Sequence, residues 1–391
     1  MTGARRSLLA RLLTLAAVLA TAGFTVTGCS SKPCPTTPVP GIAIAVGNRA
    51  NSPMPVLPDE LRQQLDALID AIQGQESARG VTLIRIDGQP TVGCSVTFDS
   101  NLNNDIARNK AKSDAFSTVS RMARALPAAK QEADVLSALA FAARAAEPGG
   151  VVVLVDSGLQ TTAPLNFTEP GLLDADAGAI ADELGKRNAL PDLSDRTVIL
   201  AGIGYTAAPQ QPLDSGRIDH LADIWSTIAT RAGAAQVIVS RQPNTDPAPV
   251  DVPAVSQVPV PALDNIQLGC NSTSVFTNDS SVGFLADSTT FRDPDKADGV
   301  LAKFSDWLHA NPSARAVVTG NVAHYGTDEG DGGLSRARAE AVRDALVAGG
   351  APPAQITARG DGWGPLPTKD APPGAAYDQL NRRVAIELQC L

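Results

Sequence analysis

The sequence predicts an α/β protein in two parts: a doubly wound, mainly parallel sheet over residues 41–241 and an α+β domain over residues 267–391. Three observations predict it. At 391 residues the chain exceeds one ordinary core, since domains usually run to roughly 100–200 residues. Short apolar runs alternate with helix-period segments through the first part, the pattern of strands joined by helical crossovers. A Pro-rich stretch from Pro243 to Pro261, inside a linker over 242–266, divides the chain.

Hydrophobic residues make up 43% but aromatics only 4%, so Ala, Val, Leu and Ile must fill both cores. A net charge of -9 argues against nucleic acid as a partner, because phosphate binding needs a surplus of Lys and Arg. No Cys-x-x-Cys occurs, and His220, His309 and His324 are scattered, so neither a metal nor another cofactor has a candidate site. Phosphate loops, Gly-x-Ser-x-Gly elbows and paired catalytic carboxylates are likewise missing from the sequence, which points to a binding protein and not an enzyme.

Residues 1–28 have the layout of a signal peptide: Arg5 and Arg6, then an apolar run from Leu12 to Val26. The run closes on Val26-Thr27-Gly28-Cys29, which resembles the bacterial lipobox. That resemblance implies an acylated Cys29, a short tether over 29–40, and a place on the extracytoplasmic face of the cell membrane. Arg5-Arg6-Ser7-Leu8-Leu9 loosely resembles a twin-arginine signal, so either export route is open. With Cys29 lipidated, Cys34, Cys94, Cys270 and Cys390 remain, an even set for an oxidising compartment. A bridge between Cys270 and Cys390 would tie the ends of the C-terminal domain and remove roughly 4–5 kcal/mol of unfolded-state entropy. Cys34 and Cys94 would then form the other pair.

Gly41 to Val46 is a short buried strand, followed by a helix over 57–72 with Leu61, Leu65, Leu68 and Ile72 on one face. Val81 to Ile86 and Val92 to Phe98 pair through Asp87-Gly88 as a hairpin, which makes the second strand antiparallel. Helices are predicted over 104–125 and 129–146, with the oxygen-rich stretch Asp99 to Asp105 capping the first. Strands over 149–155, 197–203 and 236–240, with helices over 174–188 and 217–233, complete the sheet. The Pro-rich stretch that follows is extended, either as a free spacer of about 3.1 Å per residue or as a strap lying on one domain.

This element order resembles the von Willebrand factor A fold. That family holds a divalent cation after its first strand with Asp-x-Ser-x-Ser, whereas this chain has Gly47-Asn48-Arg49-Ala50-Asn51, so metal binding is expected to be lost. Asp156-Ser157-Gly158 reads as a turn. Any protein partner in the envelope would meet the rim at the strand C-termini.

In the last part, Val282-Gly283-Phe284-Leu285 and Phe291 read as an opening strand with its closing aromatic. A helix over 295–309 and a strand over 314–320 follow. Next comes Asp331-x-x-Leu334-Ser335-x-x-Arg338-Ala339-x-x-Val342-x-x-x-Leu346, and later Ile356, Gly360, and Asn381-Arg382-Arg383-Val384. Ser335 is placed to cap the helix, Ala339, Val342 and Leu346 make a core stripe, and Gly349-Gly350 supply its stop. These motifs resemble the OmpA-like, peptidoglycan-associating family, with Asp331 where the family has Asn.

The resemblance implies that Arg338 grips a carboxylate of the diaminopimelate in a peptidoglycan stem peptide, a task for which a planar guanidinium is suited. A salt bridge to Glu340 or Asp344 is the plain alternative. Family members carry an Asp eleven positions before the Leu of Leu-Ser to take the ligand's ammonium; here that position is Ala323. Asp328 or Asp331 could supply the carboxylate, and Arg382 could face the same groove. Two functions follow: a lipoprotein tethering membrane to peptidoglycan, or a protein-interaction module that has lost peptidoglycan.

Overall fold

The structure is a computed structural model that describes residues 35–76, 79–102, 104–260, 264–323, 328–363 and 375–390. Cys29 and Cys34 lie outside these residues, as does the side chain of Asp328.

Strands Gly41–Val46 (β1), Gly80–Arg85 (β2), Thr91–Thr97 (β3), Val151–Val155 (β4), Thr197–Ala201 (β5) and Gln236–Val239 (β6) form one sheet. Their order is β3-β2-β1-β4-β5-β6, parallel throughout except for β3, which returns antiparallel to β2. Helices Asp59–Ala71 (α1) and Asp105–Arg124 (α2) cover one face, and Val135–Ala145 (α3), Ala177–Lys186 (α4) and Ser215–Arg231 (α5) the other. Strand β1 shows why: its period of two sends Ile42, Ile44 and Val46 towards Leu61 and Leu65 of α1, and Ala43 and Ala45 towards α3. Small residues on that second face let an Ala-rich helix, with Ala138, Leu139 and Ala142 buried, pack close. Each buried Leu of α1 contributes about 1.5–3 kcal/mol.

Caps set most helix starts. Asn104 accepts from the Ala107 amide, Asp176 from Ala179 and Asp214 from Arg217, each satisfying a donor that the first turn leaves free. Helix α3 begins later than its apolar content predicts. Residues 129–134 are held as a turn, with the Asp87 carboxylate accepting from the Ala129 and Lys130 amides and Asp134 capping at the Ser137 amide. These carboxylates hold the backbone outside the helix.

Over its described residues, up to position 260, the Pro-rich stretch is an ordered strap and not a free spacer. Met54 donates its amide to Pro247 O, Asn51 Nδ2 to Val255 O, and Val258 N to Gln210 Oε1, while Val258 joins the core under α5. The strap therefore runs along the rim at the strand C-termini, the surface predicted to be open to a partner. Proline removes donors from such a segment, so its carbonyls and few amides must bond outward, and the rim offers the partners.

The second sheet consists of Ser272–Thr277 (β7), Ala314–Asn321 (β8), Ile356–Gly360 (β9) and Arg383–Cys390 (β10), ordered β7-β10-β8-β9. Helices Pro294–Ala310 (α6) and Asp328–Ala348 (α7) pack on it, and Ala375–Asn381 (α8) leads into β10. Ala339, Val342 and Leu346 are fully buried as the stripe predicts, against Phe304, Val318 and Ile386. Cys270 is bonded to Cys390 across 120 residues of sequence, with Cα atoms 5.2 Å apart. Gly350 stops α7 with φ +99°.

Two predictions need correction here. The opening strand is β7, ahead of the predicted segment; Phe284 and Phe291 instead stack, with ring centroids 4.9 Å apart, at the neck of a loop. Helix α7 starts at Asp328, so Ser335 lies inside it and is not its cap.

Candidate functional site

The site starts from two glycines. A Cβ on Gly320 of β8 would lie 2.1 Å from Ser335 O, and one on Gly360 of β9 would lie 2.4 Å from Arg336 N. Only Gly lets α7 sit this low on the sheet. Ser335 completes the seam: its Oγ donates to Gly332 O and accepts from the Gly362 amide, 3.0 Å in each case. One turn further along, Arg338 is carried to the cleft beside the sheet.

Arg338 is only 7% exposed, yet among the described residues no carboxylate is bonded to its guanidinium. Nε donates to Ser288 O at 3.0 Å and Nη2 to Leu285 O at 3.2 Å, and the group lies 5.3 Å from the centroid of the Phe284 ring. Glu340 and Asp344, its plain alternative partners, are taken by Arg336 at 3.1 Å and by Arg343 at 2.7 Å. Burial pulls the Arg338 guanidinium below its ordinary value; nearby Asp287 opposes that shift and Arg382 adds to it. A buried cation bonded only to carbonyl dipoles favours the approach of an anion.

The cleft in front of it holds about 620 Å³. Arg382, Asp331 and Ala323 line it, and Asp331 and Ala323 are both largely buried. Asp287 lines it too, and Asp176 of α4 reaches it from the first sheet's side. Neither was legible in the sequence. Asp287 sits in a loop with no hydrophobic period, and only the fold of that loop, which bonds its own carbonyls to Arg338, brings it to the cleft.

In the first part, the turn after β1 meets the turn after β4. Arg49 Nε and Nη2 reach Asp156 Oδ2 and Oδ1, both at 2.8 Å, and Nη2 also donates to Ser157 Oγ and Leu159 O at 3.1 Å each. The carboxylate that could have held a metal is thus engaged by a guanidinium, with Gly158 N also on Asp156 Oδ1 at 2.7 Å. Among the described residues no cluster of His, Cys, Asp or Glu could hold a metal ion. Cys94 is disulfide-bonded, and Ser95 N donates to Pro35 O at 2.6 Å.

The two sheets' domains meet around Asp279, which follows β7. It pairs with Arg292 at 3.0 Å, accepts from Gln379 Nε2, and faces Asp174, Asp214, Arg217 and His220 of the first part. Arg217 is bonded to Asp174 at 2.7 Å, and His220 Nε2 lies 2.8 Å from Ala175 O. Burial, then the Asp174 charge, raises the Asp279 carboxyl above its ordinary value.

No helix among the described residues is long and apolar enough to cross a membrane. Residues 284–379 match the model of the OmpA family. The chain is similar to the solved peptidoglycan-associated lipoprotein from Burkholderia pseudomallei, at 31% identity over 27% of this chain and 86% of that one, with a TM-score of 0.24. It is similar to the cell wall anchor of the T6SS from Pseudomonas aeruginosa at 25% identity, over 30% of this chain and 81% of that one, TM-score 0.26. It is also similar to the OmpA-like domain of FopA1 from Francisella tularensis subsp. tularensis SCHU S4 at 21% identity, over 30% and 73%, TM-score 0.25. No curated protein matches the chain. The C-terminal part of this chain, over residues 284–379, is an OmpA-family domain.

Proposed function

We propose that this protein is a cell-envelope lipoprotein that ties the membrane to peptidoglycan without covalent bonds to the wall. Acyl chains on Cys29 hold one end, and the C-terminal domain holds the diaminopimelate of a stem peptide at the other. It acts by binding and not by catalysis. The observation that carries the reading is Arg338, buried in an open cleft with two carbonyls and a ring fixing its fork, and with no carboxylate among the described residues bonded to it. Such a guanidinium is pre-organised for a ligand carboxylate, so little side-chain entropy is lost on binding. Lipid attachment adds to this, because a tethered domain meets the wall at a high effective concentration.

The full mature protein retained on purified peptidoglycan, compared with Arg338→Ala, tests the reading. Loss of roughly ten- to a hundredfold in affinity is expected, the worth of a charged hydrogen bond. Equal retention of both proteins removes the assigned role. A second reading, a module for envelope proteins that no longer binds peptidoglycan, is favoured by Ala323, whose methyl group stands in the cleft wall where the family carries its acid. Retention of neither protein on the wall decides for that reading.

A further inference from the structure

The amino-acid end of diaminopimelate carries its ammonium and carboxylate on one carbon, so a protein that reads both must offer an anion beside its cation. In this cleft the cation is Arg338, and the family's position for the anion is an uncharged, largely buried Ala323. Three other carboxylates line the cleft. Asp176 has its Oδ1 on the Ala179 amide as the cap of α4. Asp331 is itself 7% exposed and already engaged within the protein.

Asp287 differs from both. Its side chain is exposed, and among the described residues its carboxylate takes part in no hydrogen bond or ion pair. It sits at φ +45°, a left-handed conformation that Asp tolerates better than most residues, between the two residues whose carbonyls grip Arg338. The loop that fixes the guanidinium therefore also fixes the carboxylate. The two groups line the same cleft, and the Asp287 carboxylate opposes the downward shift that burial gives Arg338.

Resting on the peptidoglycan reading above, we propose that Asp287 replaces the missing acid at position 323 and accepts the ligand's ammonium, so that the cleft selects a zwitterionic amino-acid head group over a simple carboxylate. The acid then comes from the loop that holds the guanidinium and not from the strand end. Charge complementarity at the ligand is kept while the chain path that supplies it changes.

The test is calorimetric titration of the full mature protein with a stem tripeptide ending in diaminopimelate, and with the same peptide acetylated on its free amine. Wild type is expected to prefer the free amine by on the order of ten- to a hundredfold. Asp287→Asn is expected to bring the two peptides to within about threefold of each other while still binding both, and Arg338→Ala to weaken both. Wild-type discrimination retained in Asp287→Asn overturns the proposal, as does its loss in Asp176→Asn or Asp331→Asn instead. If the wild type binds neither peptide, the peptidoglycan reading fails with it; if Arg338→Ala is weak and Asp287→Asn is unchanged, only the role of Asp287 fails.

Discussion

Arg49 and Asp156 form a two-point ion pair across the ends of β1 and β4, with both bonds 2.8 Å long and neither side chain exposed. The pair closes the place where the resemblance to the von Willebrand factor A fold would put a cation. Arg49 Nη2 also donates to Ser157 Oγ and Leu159 O, and Nη1 to Ala50 O, which offsets part of the cost of burying two charges.

Arg49→Ala leaves Asp156 buried and unpaired, and about 3–5 kcal/mol of stability is expected to be lost. Arg49→Met with Asp156→Leu should cost much less, because no uncompensated charge remains. Urea denaturation of the two variants and wild type measures both. Added EDTA should leave the wild-type midpoint where it is, since a guanidinium and not a metal satisfies the carboxylate.

Glu132 holds the strap, its two oxygens accepting from Ser256 N at 3.1 Å and Ser256 Oγ at 2.8 Å. Burial raises this carboxyl, but hydrogen bonds from Thr161 and Ser256 outweigh it and the group sits below its ordinary value. A depressed carboxyl contributes stability above its unfolded pKa, which is lost as pH falls through the lower folded value. Limited proteolysis of the strap is therefore expected to be slow at neutral pH and to quicken on acidification below about pH 4. In Glu132→Gln cleavage should already be faster at neutral pH and less dependent on acid. Equal rates for wild type and variant across this range would contradict the assignment.

Asp279 shifts the other way. Its raised carboxyl contributes stability below the unfolded pKa, and this is lost as pH rises through the folded value, so its charged form strains the junction between the two domains at neutral pH. Asp279→Asn is expected to be at least as stable as wild type at neutral pH, despite losing the Arg292 pair, with the difference shrinking below about pH 4. Thermal unfolding of the mature chain at a series of pH values checks it, and a large neutral-pH loss in the variant would show that the ion pair outweighs burial.

Features that depend on near neighbours and on periodicity could be read from the chain alone. Apolar runs and helical spacing marked every strand and helix of the first sheet, and the Asp87-Gly88 turn marked its one antiparallel strand. The stripe at Ala339, Val342 and Leu346, the Gly350 stop and the Cys270–Cys390 pair were legible for the same reason: each follows from local spacing or from cysteine arithmetic. Arg338 was legible as a candidate because its motif is contiguous.

Tertiary structure alone decided the rest. Whether a Pro-rich segment floats or lies as a strap depends on Asn51 and Gln210, which are about two hundred and about fifty positions away from their contacts in the strap. Ser335 became a bolt to Gly362 because α7 gained turns ahead of it. Asp287 lines the same cleft as Arg338 only because an aperiodic loop folds its carbonyls onto that guanidinium. Hydrogen bonds between distant segments leave no period in the chain, since their geometry is set by how the elements pack and not by the residues on either side.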